Sequence, residues 1–276
     1  MRAVPDLIPV LASGRSPCRG SGPGQVAADS ATLARRSVRL AMRRPDAMLT
    51  ALLMPVMLML TFGYLFGGAI SASIPGVSYA TYLAPGIVLT SVMLGASTTA
   101  VGVSGDVSQR IIDRFRALDI NGAAFIAGHV AAGTARSTVS AALVFAIAVP
   151  MGLRSGATPL EWLAAVGLII LLILAVSWLT ALGGLLVSSP DAASSFTFFL
   201  MLIPFTSSAF VPIATMPHWL RAFARNQPAT PVIDSIRSLL EQQPAGNGPW
   251  LAVAWWGGTM LAAAALSAVV FQRRTR

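Results

Sequence analysis

The chain has 276 residues, of which 55% are hydrophobic and only 11% charged, and its mean hydropathy is +0.72. Soluble domains carry about 25% charged residues, so the composition excludes an ordinary soluble fold and points to a protein built for lipid. All 19 cationic side chains are Arg and none is Lys, which excludes a P-loop, whose Lys must reach the nucleotide phosphates.

Residues 1–27 are rich in Pro, Gly, Ser and Arg and read as a disordered cytoplasmic tail. The apolar stretch Leu7–Ala12 is only six residues long and follows Asp6, which does not fit a cleavable signal. Cys18 is the only cysteine, so no intrachain disulfide is expected. Residues 28–46 read as an amphipathic interfacial helix. Asp29 or Ser30 can cap it, and Pro45 interrupts its continuation. At about 100° per residue, Arg35, Arg36, Arg39 and Arg43 share one arc, while Leu33, Ala34, Val38, Leu40, Ala41 and Met42 spread over the other side, with Arg44 the exception. That pattern lays the apolar face in the acyl chains and the Arg face toward phosphates; the plainer alternative is a basic flank with no mechanical role.

Spanning a bilayer takes about 20 mostly apolar residues. Six runs qualify: Ala47–Phe66, Tyr82–Val103, Ala123–Val149, Trp162–Val187, Ala192–Val211 and Trp250–Phe271. Together they form a membrane domain over residues 47–272, followed by a short tail, 273–276. With six spans both ends lie on one side, which collects fourteen Arg against four on the other. The positive-inside rule puts both termini in the cytoplasm. The net charge of +9 is then a topology signal, not a nucleic-acid footprint.

Between the second and third spans, Ser104–Asn121 is short and charged, with Asp106, Arg110, Asp113, Arg114, Arg116 and Asp119. Ile111, Ile112, Phe115 and Leu118 recur within it at helical spacing, as in a short helix shaped to dock on a partner. A solvated turn resting on the bilayer is the alternative. The third span carries His129 and Arg136. A cation at that depth faces protein, water or a headgroup, and a direct substrate role is the less ordinary reading. His129 reads as an interhelical hydrogen bonder. In the first span, Gly63 and Gly67 form a weak close-contact motif, and Asp191 reads as the cap of the fifth span. Segment Pro212–Gly248 holds five prolines and two apolar patches too short to cross. It reads as short helices dipping into the outer leaflet, with a small external cap as the alternative.

No constellation supports chemistry on this chain. Two His and one Cys are scattered without metal-ligand spacing, and nothing resembles a nucleophile elbow.

Several stretches carry a resemblance. They are Arg43-Arg44-Pro45-Asp46, Leu52-Leu53-Met54-Pro55, Phe62-Gly63-Tyr64-Leu65-Phe66-Gly67 and Tyr82-Leu83-Ala84-Pro85-Gly86. The most specific are Ser208-Ala209-Phe210-Val211-Pro212, Met216-Pro217-His218-Trp219-Leu220, Asn226-Gln227-Pro228, and Asp234 through Arg237. Together, over residues 30–272, the chain resembles the membrane subunit of type-2 ABC exporters, most nearly the daunorubicin-resistance-type permeases.

That resemblance implies an all-α membrane protein of six transmembrane helices, working as a permease homodimer or heterodimer in the bacterial inner membrane. It implies a separate ABC ATPase subunit holding ATP and Mg, and no catalytic residue, cofactor or metal on this chain. It implies a coupling helix at Arg110, Ile111, Asp113, Arg114, Phe115, Arg116 and Asp119, and an ATPase contact on residues 28–44. It implies re-entrant helices near an outer gate, marked by Pro212, Met216, Pro217, Trp219, Asn226, Pro228 and Arg237. The chain departs from the family pattern at Ile111 or Ile112, where Gly is usual, and at Leu118-Asp119, where Leu-Pro is usual. The expected cargo is a small hydrophobic or amphipathic molecule such as a drug, natural product or lipid. The competing reading is an ATP-independent or ion-coupled transporter, which would need more ionisable groups inside its spans.

Overall fold

A computed structural model describes residues 45–71, 78–109, 122–244 and 246–274. Among them the ordered elements are all helical. The first helical run is described from Pro45 onward. It runs as α1 (Pro45–Thr61), a π-helical turn (Phe62–Phe66) and α2 (Gly67–Ser71). Then come α3 (Tyr79–Ser108), α4 (Gly122–Ala148), α5 (Pro159–Leu186) and α6 (Pro190–Leu202). The chain continues through α7 (His218–Asn226), α8 (Ala229–Glu241) and α9 (Gly248–Arg274).

Among the described residues, four helices are long and apolar enough to cross a membrane: α3, α4, α5 and α9. Leu53–Phe66 is a shorter apolar stretch within the first helical run. The long helices follow the apolar runs, with shifted ends. Helix α5 starts three residues before the expected Trp162 because Thr158 and Glu161 form a capping box, with Pro159 at the first helical position.

The expected fifth span is not one continuous α-helix. Helix α6 ends at Leu202, a single 3₁₀ turn follows at Pro204–Thr206, and irregular turns occupy Ser207–Phe210. Pro204 has no N–H to continue the ladder, so the apolar run outlasts the helix. The start of α6 also differs in detail. Ser189 is its cap, accepting from the Ala192 N–H at 3.2 Å, while Asp191 lies in the first turn. The expected loop from Ser104 likewise begins later, since α3 stays helical through Ser108 and carries Asp106 with it.

Helix α3 is the spine. Every residue from Tyr79 to Met93 is buried, and α1, α4, α5, α6 and α8 all pack on it. Lipid tails are as apolar as Leu, so such packing rests on close fit and hydrogen bonds. The α3–α4 seam shows that fit. Gly95 faces Ser137, Thr99 faces Gly133 and Gly102 faces His129, an antiparallel register in which a small residue on one helix admits a polar one on the other.

Candidate functional site

The residues joined most closely lie where α3 begins. Arg237, on α8, is 9% exposed. Its Nη2 donates to the Tyr82 carbonyl at 2.9 Å and to the Ser208 carbonyl at 3.0 Å, and its Nε reaches Tyr82 at 3.3 Å. Its Nη1 pairs with Asp234 Oδ1 at 2.9 Å, and the guanidinium carbon sits 3.5 Å from the centroid of the Tyr82 ring. One planar cation thus fastens three elements: α8, the start of α3 and the turn after α6. A charged fork of five donors suits this better than a Lys.

The turn is held from its other side as well. The Tyr82 hydroxyl donates to the Ser208 carbonyl at 3.0 Å, and the Tyr79 hydroxyl to the Phe210 carbonyl at 3.3 Å. Ser208 Oγ donates to Asp234 Oδ1 at 2.7 Å. Gly86 lies directly under the backbone of Ala209, and a Cβ there would collide with the carbonyl. Pro85, one residue earlier, cannot donate to the carbonyl four residues back, loosening α3 where the turn presses on it. Rings of Phe62 and Phe205 both stack on Phe210, at 4.5 and 5.1 Å between centroids. The π-helical turn of the first helical run therefore joins the same cluster.

Helices α7 and α8 follow one another, joined by Gln227-Pro228. Gln227 is buried and donates from Nε2 to the Thr206 carbonyl at 2.5 Å, supplying a donor at the end of the 3₁₀ turn, where the chain leaves helical structure. Trp256 Nε1, on α9, donates to the Pro228 carbonyl at 3.0 Å. Helix α8 buries Val232, Ile233, Ile236 and Leu240 in the core. Its end carries Glu241, whose Oε1 is buried without a hydrogen-bond partner. Burial pushes that carboxyl above the ordinary carboxylate range, while nearby Arg237 pulls it the other way. The outer helix α7 leaves Trp219 and Phe223 exposed.

Of the residues expected at the gate, Arg237 and Pro228 are tied into the bundle. Pro212 precedes a 3₁₀ turn, Ile213–Thr215, and the carbonyl of Met216 accepts from Arg221 at 3.1 Å. Pro217 caps α7, and Trp219 and Asn226 are exposed upon it. The partners Tyr82, Gly86, Ser208 and Gln227 were not expected as site residues, although the motifs quoted above contain all four. The expected coupling residues Arg110, Ile111, Asp113, Arg114, Phe115, Arg116 and Asp119 lie outside the described residues. So do Arg35, Arg36, Arg39 and Arg43.

At the far end of α3 the two polar residues of the third span stay separate. His129 Nε2 meets Asp106 Oδ2 at 2.9 Å, with the Phe125 ring edge-on at 4.9 Å. Arg136 donates from Nη2 to Thr99 Oγ1 at 3.3 Å. Among the described residues no group of His, Cys, Asp and Glu is arranged to hold a metal ion.

Residues 30–240 match the protein family described as ABC-2 type transporter, which is most of the chain. The chain belongs to that family, and is a membrane subunit of an ABC transporter. It is also similar to the daunorubicin resistance ABC transporter permease protein DrrB1 of Streptomyces coeruleorubidus. The two are 29% identical over 225 residues, spanning 80% of this chain and 78% of the relative.

Proposed function

We propose that this member of the ABC-2 type transporter family is the permease of an ATP-driven exporter. It forms the path for a hydrophobic or amphipathic cargo, and works as a homodimer or heterodimer in the bacterial inner membrane. The observation that carries this reading is the family match over residues 30–240, together with the absence of any Lys for a P-loop. ATP and Mg belong to the partner subunit. The similarity to a drug-resistance permease supports a drug or natural product as cargo.

In this reading six spans are built from the first helical run, α3, α4, α5, α6 with its following turns, and α9, with both termini cytoplasmic. Helices α7 and α8 are the re-entrant pair. At about 1.5 Å per residue, their 9 and 13 residues are too short to cross about 30 Å of hydrocarbon. Residues 1–27 are the cytoplasmic tail, 28–46 the interfacial helix and 109–121 the coupling segment. ATP binding draws the two ATPases together. The motion enters at Arg110 to Asp119, and the dimer shifts between inward-open and outward-open states. Nucleotide must bind those states with different free energies, or no gating follows.

The test reads the coupling of hydrolysis to transport. Reconstituted with its ATPase, the complex hydrolyses ATP, and the wild type couples hydrolysis to uptake of a fluorescent amphipathic drug into inside-out vesicles. Reversing charge at Arg110 and Arg114 together should retain hydrolysis and abolish uptake. Uptake that persists in the double variant overturns the coupling role of Arg110 to Asp119, and uptake that proceeds without nucleotide overturns the exporter reading.

A further inference from the structure

Arg136 stands at position 15 of the 27 residues of α4, about 21 Å from one end and 18 Å from the other. A cation at the centre of a span costs at least about 2.5–3.5 kcal/mol, so it requires a partner. The two ion pairs among the described residues join His129 to Asp106 and Arg237 to Asp234, and neither involves Arg136. Its hydrogen bond is to a neutral hydroxyl, that of Thr99. Its Nε is buried with no acceptor. One turn further, Ser140 is 3% exposed and its Oγ is also without a partner. Four residues on a helix differ by about 40°, so the two unmet groups share a face. Asp106 lies about 10 Å further along α3 from Thr99, held by His129.

What this group lacks is an oxyanion. We propose that Arg136, with Ser140 and Thr99, binds the acidic head of an amphipathic anion, a carboxylate or phosphate ester on a hydrocarbon tail. A guanidinium donates two parallel N–H bonds to the oxygens of such a group, and a hydroxyl on the same face donates a third. The apolar tail has a surface at hand, since Val139 on the same turn is 47% exposed. A cationic amine is repelled by the same residue. The proposal rests on the exporter reading and narrows its cargo to anions. The same chemistry arrives from a second source, an anionic membrane phospholipid.

The test uses the full chain in nanodiscs of phosphatidylcholine, titrated with 12-(9-anthroyloxy)stearate and, separately, with its methyl ester. Wild type should bind the acid saturably and at least tenfold tighter than the ester. Arg136→Gln should lose at least tenfold in affinity for the acid and leave the ester unchanged, and Arg136→Lys, which keeps the charge without the fork, should fall between Arg136→Gln and wild type. Where Arg136→Gln does not fold, Ser140→Ala replaces it, removing only a hydroxyl, with an expected loss of threefold or more for the acid alone. Phosphatidic acid added to the nanodiscs separates the sources. Displacement of the probe assigns the site to phospholipid, and undisturbed binding assigns it to an acidic cargo. Equal binding of acid and ester by wild type, or variants that bind the acid as wild type does, overturns the proposal. Binding needs no ATPase. A chain that binds the acid but recruits no ATPase refutes the exporter reading alone. An ATPase-bearing complex indifferent to the acid refutes this site alone.

Discussion

Arg237 carries more of the local structure than any other single side chain in the described region. Its four hydrogen-bond contacts reach partners 155, 29 and 3 residues away in sequence. Truncation to Ala leaves two backbone carbonyls and Asp234 without their cationic donor. Hydrogen bonds to a charged group contribute about 1.5–3 kcal/mol, so Arg237→Ala should lower the thermal midpoint in detergent by far more than Tyr82→Phe. The latter loses one neutral bond, about 1 kcal/mol, and keeps the ring under the guanidinium. Glu241 gives the same neighbourhood a pH dependence of definite sign. Its folded-state pKa is raised from 4.5, chiefly by burial. The folded protein therefore holds this proton more tightly than the unfolded chain does, and stability falls as pH rises through and above the ordinary Glu range. Glu241→Gln should raise the midpoint at neutral pH and remove that decline above the ordinary Glu range, measured by thermal unfolding in nanodiscs. A variant that is less stable at pH 7 contradicts the burial argument.

At the scale of elements, the long helices were legible because an apolar run of about 20 residues has few other uses. That short helices occupy this segment, residues 212–248, was legible too, since prolines broke its apolar patches into pieces too short to span. What hydropathy missed was hydrogen bonding. Residues 203–211 belong to an apolar run, yet Pro204 ends the regular ladder, and the Thr206 carbonyl takes its bond from Gln227, 21 residues further on. The capping box at Thr158 and the cap at Ser189 were also readable locally, and would have set two helix starts correctly. Pairings such as Tyr82 with Arg237 were beyond any local pattern. The motifs marked those residues as characteristic without showing that they meet. Contact between α3 and the broken end of α6 depends on Gly86. Gly86→Val should displace the Ala209 turn and cost about 1–3 kcal/mol by overpacking. Faster proteolysis within residues 203–217 would register the displacement, and a digestion pattern and midpoint like wild type's would show that the turn does not rest on Gly86.

For the whole molecule, α3 links two differently built ends. Near Tyr82 the polar cluster fastens α8, the first helical run and the turn after α6. At the other end are the His129–Asp106 pair and an apolar cluster of Val103, Phe125, Ile126, Val130, Ala181 and Leu185. Residues 110–121 connect α3 to α4, so in the proposed function a push applied there acts on both helices of the shared seam. The Tyr82 carbonyl that receives Arg237 belongs to the same α3. This makes a mechanical route plausible only if an ATPase is there to push. The most direct measurement is affinity recovery of the tagged chain, solubilised from its native host in mild detergent, with mass spectrometry of what stays bound. The account predicts a P-loop ATPase recovered in a fixed ratio to the permease. Recovery of this chain alone, under conditions that keep a known ABC transporter intact, would contradict it.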